Sequence, residues 1–160
     1  MRSVAAKNQA DPSLAKMEAK ARGADDAWMV QDDHVTEGTS NNAYIVKDGT
    51  IITRHLSNDI LHGITRKSVL ECARLLQMKV EERPFTVAEA HEADEAFVTS
   101  ASGFANPVEQ IDGVGVVDAA GLDAAGLDHS HHMRPRRLQI AHADGAFNDD
   151  HGQHLNISET

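Results

Sequence analysis

Asp48-Gly49 stands between two short apolar runs, Ala43-Tyr44-Ile45-Val46 and Ile51-Ile52. An Asp-Gly pair in that setting closes a two-residue hairpin, because both positions accept the positive φ that the tight turn requires. Antiparallel pairing is therefore built into the fold. Around this hairpin the apolar pattern switches between strand and helix periods. Ala27-Trp28-Met29-Val30 is another short run, Gln31-Asp32-Asp33-His34 is polar enough to turn, and Ala96-Phe97-Val98-Thr99 and Val114 to Val117 read as further strands. Val80 starts a short strand that Pro84 ends. Val69, Cys72, Ala73 and Leu76 fall at helical spacing behind Thr65, a capping residue, and Cys72 reads as core filling on that face. Thr86 and Glu89 have capping-box spacing for a second helix. An earlier helix has Asp11 as its cap, Pro12 at its first position, an apolar stripe of Leu14, Met17 and Ala21, and Gly23 at its end. Hairpin strands interleaved with helices predict an α/β chain with a mixed sheet rather than a strictly parallel one.

The pattern divides the chain into three. Residues 1–10 show little order, residues 11–118 read as the folded part, and residues 119–160 are expected to be largely disordered. That last segment opens on a direct repeat, Ala119-Ala120-Gly121-Leu122-Asp123 and Ala124-Ala125-Gly126-Leu127-Asp128, and has too few large apolar residues to drive packing. With 160 residues, 41% apolar and 4% aromatic, the chain has material for one modest core. No stretch approaches the roughly 18 to 20 apolar residues of a membrane span, and no hydrophobic signal region follows Met1, so a cytoplasmic location is expected. The single cysteine leaves neither an internal disulfide nor a Cys-based zinc site.

The net charge of −10 argues against a nucleic-acid partner, and it is unevenly spread. Residues 1–23 carry five Lys/Arg against two acids, residues 24–118 seven against seventeen, and residues 119–160 three against six. Six of the ten histidines lie after residue 128, including His129, His131 and His132. Imidazoles can bind Zn²⁺ or Ni²⁺, but this cluster has no Cys or carboxylate at ligand spacing, and no metal site is assigned. Asn156-Ile157-Ser158 matches a glycosylation sequon, which carries no weight without a secretory signal.

Three loops have residues that suit an anion. Val35-Thr36-Glu37-Gly38-Thr39-Ser40-Asn41-Asn42 combines a carboxylate with small, hydroxyl and amide side chains, although a plain polar loop has the same composition. In Gly63-Ile64-Thr65-Arg66 the glycine allows close backbone approach, and the N–H groups of a helix start, with the Thr65 hydroxyl, suit a phosphate. Phe97-Val98-Thr99-Ser100-Ala101-Ser102-Gly103 is a strand that runs into small hydroxyl residues. Each also fits an ordinary turn or cap; all three in one α/β chain are harder to dismiss.

Read together, these segments resemble the C-terminal, cofactor-binding half of the class IV (fold type IV) pyridoxal-phosphate aminotransferases. That family includes the D-amino-acid and branched-chain aminotransferases and aminodeoxychorismate lyase. The resemblance runs from about Leu14 to Val117. It is carried by Leu14 to Lys20, Ala24 to Trp28, Val35 to Asn41, Lys47-Asp48-Gly49, Ile60 to Arg66, Ala93 to Ser100, and Pro107-Val108 before Ile111-Asp112-Gly113. The Thr-Ser-Asn loop and Thr-Ser-Ala-Ser resemble the D-amino-acid branch more than the branched-chain one.

The resemblance implies pyridoxal 5'-phosphate as cofactor, an amino acid and a 2-oxo acid as substrates, and a homodimer. It implies that Glu37 keeps the pyridine nitrogen protonated, so that the ring can withdraw electrons. The Ile64 and Thr65 amides and the Thr65 hydroxyl would hold the phosphate, with Ser100, Ala101 and Ser102 on its other side. Many relatives carry threonine where Ala101 stands. Lys7 is the lysine nearest the family's Schiff-base position, but counting back without gaps from Lys16 lands on Ala5, and Ala6-Lys7-Asn8 is not the family's usual context. The family's N-terminal domain and C-terminal helix are not recognisable, as a truncated or frameshifted reading frame would look. A non-catalytic fragment that binds cofactor weakly, or associates with a full-length relative, is the alternative expectation.

Overall fold

The computed structural model describes residues 11–55, 63–102, 104–116, 136–142, 147–148 and 154–155. The Asp-Gly hairpin forms as expected: β3 (Asn42–Lys47) pairs antiparallel with β4 (Thr50–Thr53), with Lys47 opposite Thr50 and φ of 49° at Asp48 and 70° at Gly49. The same turn geometry recurs without glycine at Asp32-Asp33, φ 51° and 62°, which joins β1 (Asp26–Gln31) to β2 (His34–Gly38). Aspartate tolerates this left-handed region better than most residues, because its short side chain can bond locally.

Preceding these strands, α1 (Pro12–Ala21) starts at Asp11, whose carboxylate accepts the Ser13 N–H at 2.8 Å, and Gly23 follows its end at φ 85°. After β4 come α2 (Ile64–Leu75), β5 (Lys79–Glu82), β6 (Phe85–Thr86) and α3 (Val87–His91). Helix α3 has its capping box: the Thr86 hydroxyl accepts the Glu89 N–H and the Glu89 carboxylate accepts the Thr86 N–H. The chain continues through β7 (Glu95–Ser100), β8 (Phe104–Ile111) and β9 (Val114–Gly115) to β10 (Arg136–His142), with short β11 (Phe147–Asn148) and β12 (His154–Leu155) beyond.

The sheet is mixed, as the sequence predicts, with the order β5-β4-β3-β7-β8-β10-β1-β2-β6. Strand β10 runs parallel to both of its neighbours, β8 and β1; most of the other pairings are antiparallel. β2 and β3 stand far apart along this path, yet only Thr39, Ser40 and Asn41 separate them in sequence, so the sheet must curl to bring them together. Inside the curl lies the main core, with Trp28, Val35, Ile45, Phe85, Val98, Val108, Leu138 and Ile140. Residues of opposite parity face outward, where α1 packs Ala15 and Ala19 on Ala27, Met29 and Ala141, and α2 packs Leu70 and Ala73 on Tyr44 and Ile51.

Three sequence expectations need correction. Within the segment 119–160, expected to be largely disordered, Arg136–His142 instead forms β10 inside the sheet: Trp28 pairs with Ile140, and Leu138 and Ile140 are buried. Two neighbours hold it, since Asp112 accepts the Ile140 N–H at 2.7 Å and Asp25 accepts the Arg137 N–H at 2.9 Å. On α1 the buried residues are Ala15 and Ala19, while Leu14 and Met17 are exposed. Helix α2 buries Arg66, Leu70 and Ala73, leaving Cys72 and Leu76 in solvent, so Cys72 is not core filling. No described helix is long and apolar enough to cross a membrane.

Candidate functional site

The turn from β2 to β3 is shaped before any ligand is considered. Pairing between β1 and β2 slips at Met29, which faces Glu37 while Val30 faces Val35, so Thr36 is an extra residue. Such a bulge re-aims the side chains that follow it. The Thr36 hydroxyl donates to the Met29 carbonyl at 3.0 Å, and Glu37 is left half-buried on the strand that enters the turn. The Gly38 N–H donates to the Asn41 carbonyl at 2.8 Å, and the Thr39 N–H to the Ala27 carbonyl at 3.2 Å. Asp26, fully buried, accepts the Asn41 Nδ2 at 2.7 Å and also the Thr39 hydroxyl.

The second part is the start of α2. Gly63 is the N-cap residue, with φ −71° and ψ 129°, and no side chain caps the helix. First-turn N–H groups have no partner within a helix, so the Ile64 and Thr65 amides are the natural donors for an anion here. Thr65, expected to cap, is instead the second helical residue, and its hydroxyl donates to the Ser100 carbonyl at 3.2 Å. That bond joins the second loop to the third.

The first loop reaches the same place. A Cβ on Gly63 would sit 2.9 Å from Asn42 Oδ1, so glycine allows the helix start to lie against the residue that ends the β2–β3 turn. Asn42 in turn pairs with Thr99 across β3 and β7, one residue before Ser100. The structure thus brings Asn42, Gly63, Thr65 and Ser100 together, with Glu37 on the strand leading in. Ala101 and Ser102 lie exposed in the turn after β7. Lys7 is outside the described residues, as is the His129–His132 cluster. Among the described residues no group of three or more His, Cys, Asp or Glu could hold a metal ion.

Buried polar residues brace this cluster. Arg66, in the first turn of α2, donates from Nη2 to the Arg54 carbonyl at 2.9 Å and to Glu82 at 3.1 Å, which ties the helix start to the ends of β4 and β5. Tyr44 stacks on Phe97, centroids 4.4 Å apart, and its hydroxyl meets the Thr99 hydroxyl at 2.9 Å. Burial pushes the Tyr44 phenol above its ordinary value of 10.0, with the Thr99 hydrogen bond and the Arg66 charge pulling back. Sequence reading missed Asp26, Arg66 and the Tyr44–Thr99 pair as parts of the site. Asp26 gave little local signal, because it follows Asp25 and reads as the polar lead into Ala27-Trp28-Met29-Val30.

A family model for amino-transferase class IV matches residues 7–111. The chain belongs to the class IV aminotransferase family. A D-alanine aminotransferase of Listeria monocytogenes is 38% identical over 105 residues, which cover 66% of this chain and 36% of that protein. Among solved structures, the branched-chain aminotransferase of the archaeon Thermoproteus uzoniensis with norvaline superposes with a TM-score of 0.63. The two are 37% identical, and the match covers 66% of this chain and 36% of that one. An aminotransferase from Brucella abortus bound to the co-factor PLP superposes with a TM-score of 0.59 at 28% identity, over 61% of this chain and 35% of that one. The chain therefore spans about a third of the length of these relatives, and the family match stops short of β10.

Proposed function

We propose that this chain forms the pyridoxal-phosphate-binding part of an aminotransferase that moves an amino group between an amino acid, D- or branched-chain, and a 2-oxo acid. The observation that carries the reading is the convergence at the start of α2, where Gly63, Ile64 and Thr65 meet Ser100 and Asn42. That site has helix amides without a side-chain cap, a glycine that keeps the approach open and the Thr65 hydroxyl beside the amides. It fits a phosphate dianion, which helix N–H groups and the helix dipole favour. Glu37 fits a heteroaromatic nitrogen that must stay protonated.

When bound, the cofactor supplies an electron-withdrawing ring for amino-group transfer. The chain's own residues bind and orient it. The Ile64 and Thr65 amides, with the Thr65 hydroxyl, would hold the phosphate. Ser100, Ala101 and Ser102 close its other side, and Glu37 keeps a proton on the ring nitrogen. Lys7 is the proposed tether, its Nζ both holding the cofactor and moving the substrate proton. A homodimer is the proposed assembly.

The test is to add pyridoxal phosphate to the purified chain, reduce with borohydride and map the modified peptide. Modification of Lys7, lost in Lys7→Ala, is the expected result. A different lysine, or none, overturns Lys7 as the tether, and absence of any cofactor binding overturns the reading itself.

A further inference from the structure

Asp25 and Asp26 are adjacent, yet they serve different neighbours. Asp25 holds the Arg137 N–H at the surface, 2.9 Å away, whereas Asp26 has 0% exposure. A carboxylate taken out of water is costly unless hydrogen bonds replace its hydration. For Asp26, two side-chain donors come from one turn. Its Oδ1 accepts the Ala27 N–H at 2.9 Å and the Thr39 hydroxyl, and its Oδ2 accepts the Asn41 Nδ2 at 2.7 Å. Thr39 and Asn41 both belong to the turn between Glu37 and Asn42.

We propose that Asp26 is a positioning residue for the cofactor site. Its carboxylate clamps Thr39 and Asn41, and so fixes the path by which Glu37 faces the ring. The role rests on the cofactor reading above. A second observation points the same way. With Nδ2 turned to Asp26, Asn41 Oδ1 is buried without a partner, and the Gly38 backbone lies so close that a Cβ there would overlap the amide. The turn thus leaves an acceptor unsatisfied to keep the amide on the aspartate, and Gly38 makes room for it.

Two ligands separate the turn from the cradle. Inorganic phosphate reads the helix start alone, and pyridoxine 5'-phosphate, which has no aldehyde, reads the helix start and the Glu37 side together. Calorimetric titration of the full chain carrying Asp26→Asn is expected to weaken pyridoxine 5'-phosphate by about tenfold or more, the loss expected for charge-assisted hydrogen bonds. Inorganic phosphate affinity should stay within about twofold. Hydrogen exchange at the Gly38 N–H, which bonds to the Asn41 carbonyl, should accelerate while exchange at Val98 does not. If Asp26→Asn does not fold, Gly38→Ala keeps the carboxylate, displaces Asn41 and is expected to give the same split. Equal loss of both ligands, or unchanged Gly38 exchange in the folded variant, overturns the role of Asp26. A wild-type chain that does not bind pyridoxine 5'-phosphate overturns the cofactor reading, and with it the role.

Discussion

The Thr65 hydroxyl spans 3.2 Å to the Ser100 carbonyl and thereby decides how two loops meet. Thr65→Val preserves the shape and removes the donor. It is expected to cost about 0.5–1.5 kcal/mol of stability, read by denaturant unfolding, and to weaken phosphate binding. Tyr44 gives a separate residue-scale test. Because its folded phenol titrates above 10.0, the folded state holds its proton where the unfolded chain releases it. Its contribution is complete below pH 10 and is lost as pH rises toward the folded value. Unfolding midpoints should therefore fall above pH 10, and Tyr44→Phe should flatten that slope. Thr65 and Ser100 lie in loops that the sequence singles out, and the fold joins them, whereas Glu37 owes its expected role to the family resemblance alone. Asp26 was not legible, since Thr39 and Asn41, the partners that give it meaning, lie 13 and 15 residues away.

At the scale of elements, capping chemistry was more legible than packing faces. Asp11, Pro12, Gly23, Thr86 and Glu89 all act where local sequence predicts, because a cap is decided within one helical turn. Which face a helix buries depends on the surface it meets. On α1, Leu14, Met17 and Ala21 form the larger apolar stripe, but Ala15 and Ala19 meet the sheet, where they pack on Ala27, Met29 and Ala141. Small residues let the helix approach closely. Ala19→Leu is expected to overpack that seam and cost about 1–3 kcal/mol, whereas Leu14→Ala should change stability by less than about 0.5 kcal/mol, both by chemical denaturation. The α3 cap also carries an acid dependence. The Arg83 guanidinium holds the Glu89 carboxyl below its usual 4.5, so this contribution is complete above that pH and is lost as pH falls through the lower folded value.

For the molecule as a whole, the mixed sheet was legible from its hairpins, and its central strand was not. Leu138 and Ile140 alternate as a strand should, but the run is short and lies between Arg136-Arg137 and a polar end. Only the vacancy between β8 and β1, formed by residues more than twenty positions earlier, turns it into core. A chain ending at residue 118 would lose Leu138 and Ile140 and uncover two strand edges. It is expected to be unfolded or aggregated by circular dichroism and size exclusion, and an unchanged melting midpoint would contradict the placement of β10. The curl that this strand completes also brings β2, which carries Glu37, beside β3, whose Asn42 lies against the start of α2. The central claim, that this junction holds the cofactor, is tested most directly by hydrogen exchange with and without pyridoxal 5'-phosphate. Protection of the Ile64 and Thr65 amides, strong with the phosphorylated cofactor and weak with pyridoxal, is the result expected; unchanged exchange there, or equal protection by both compounds, would contradict it.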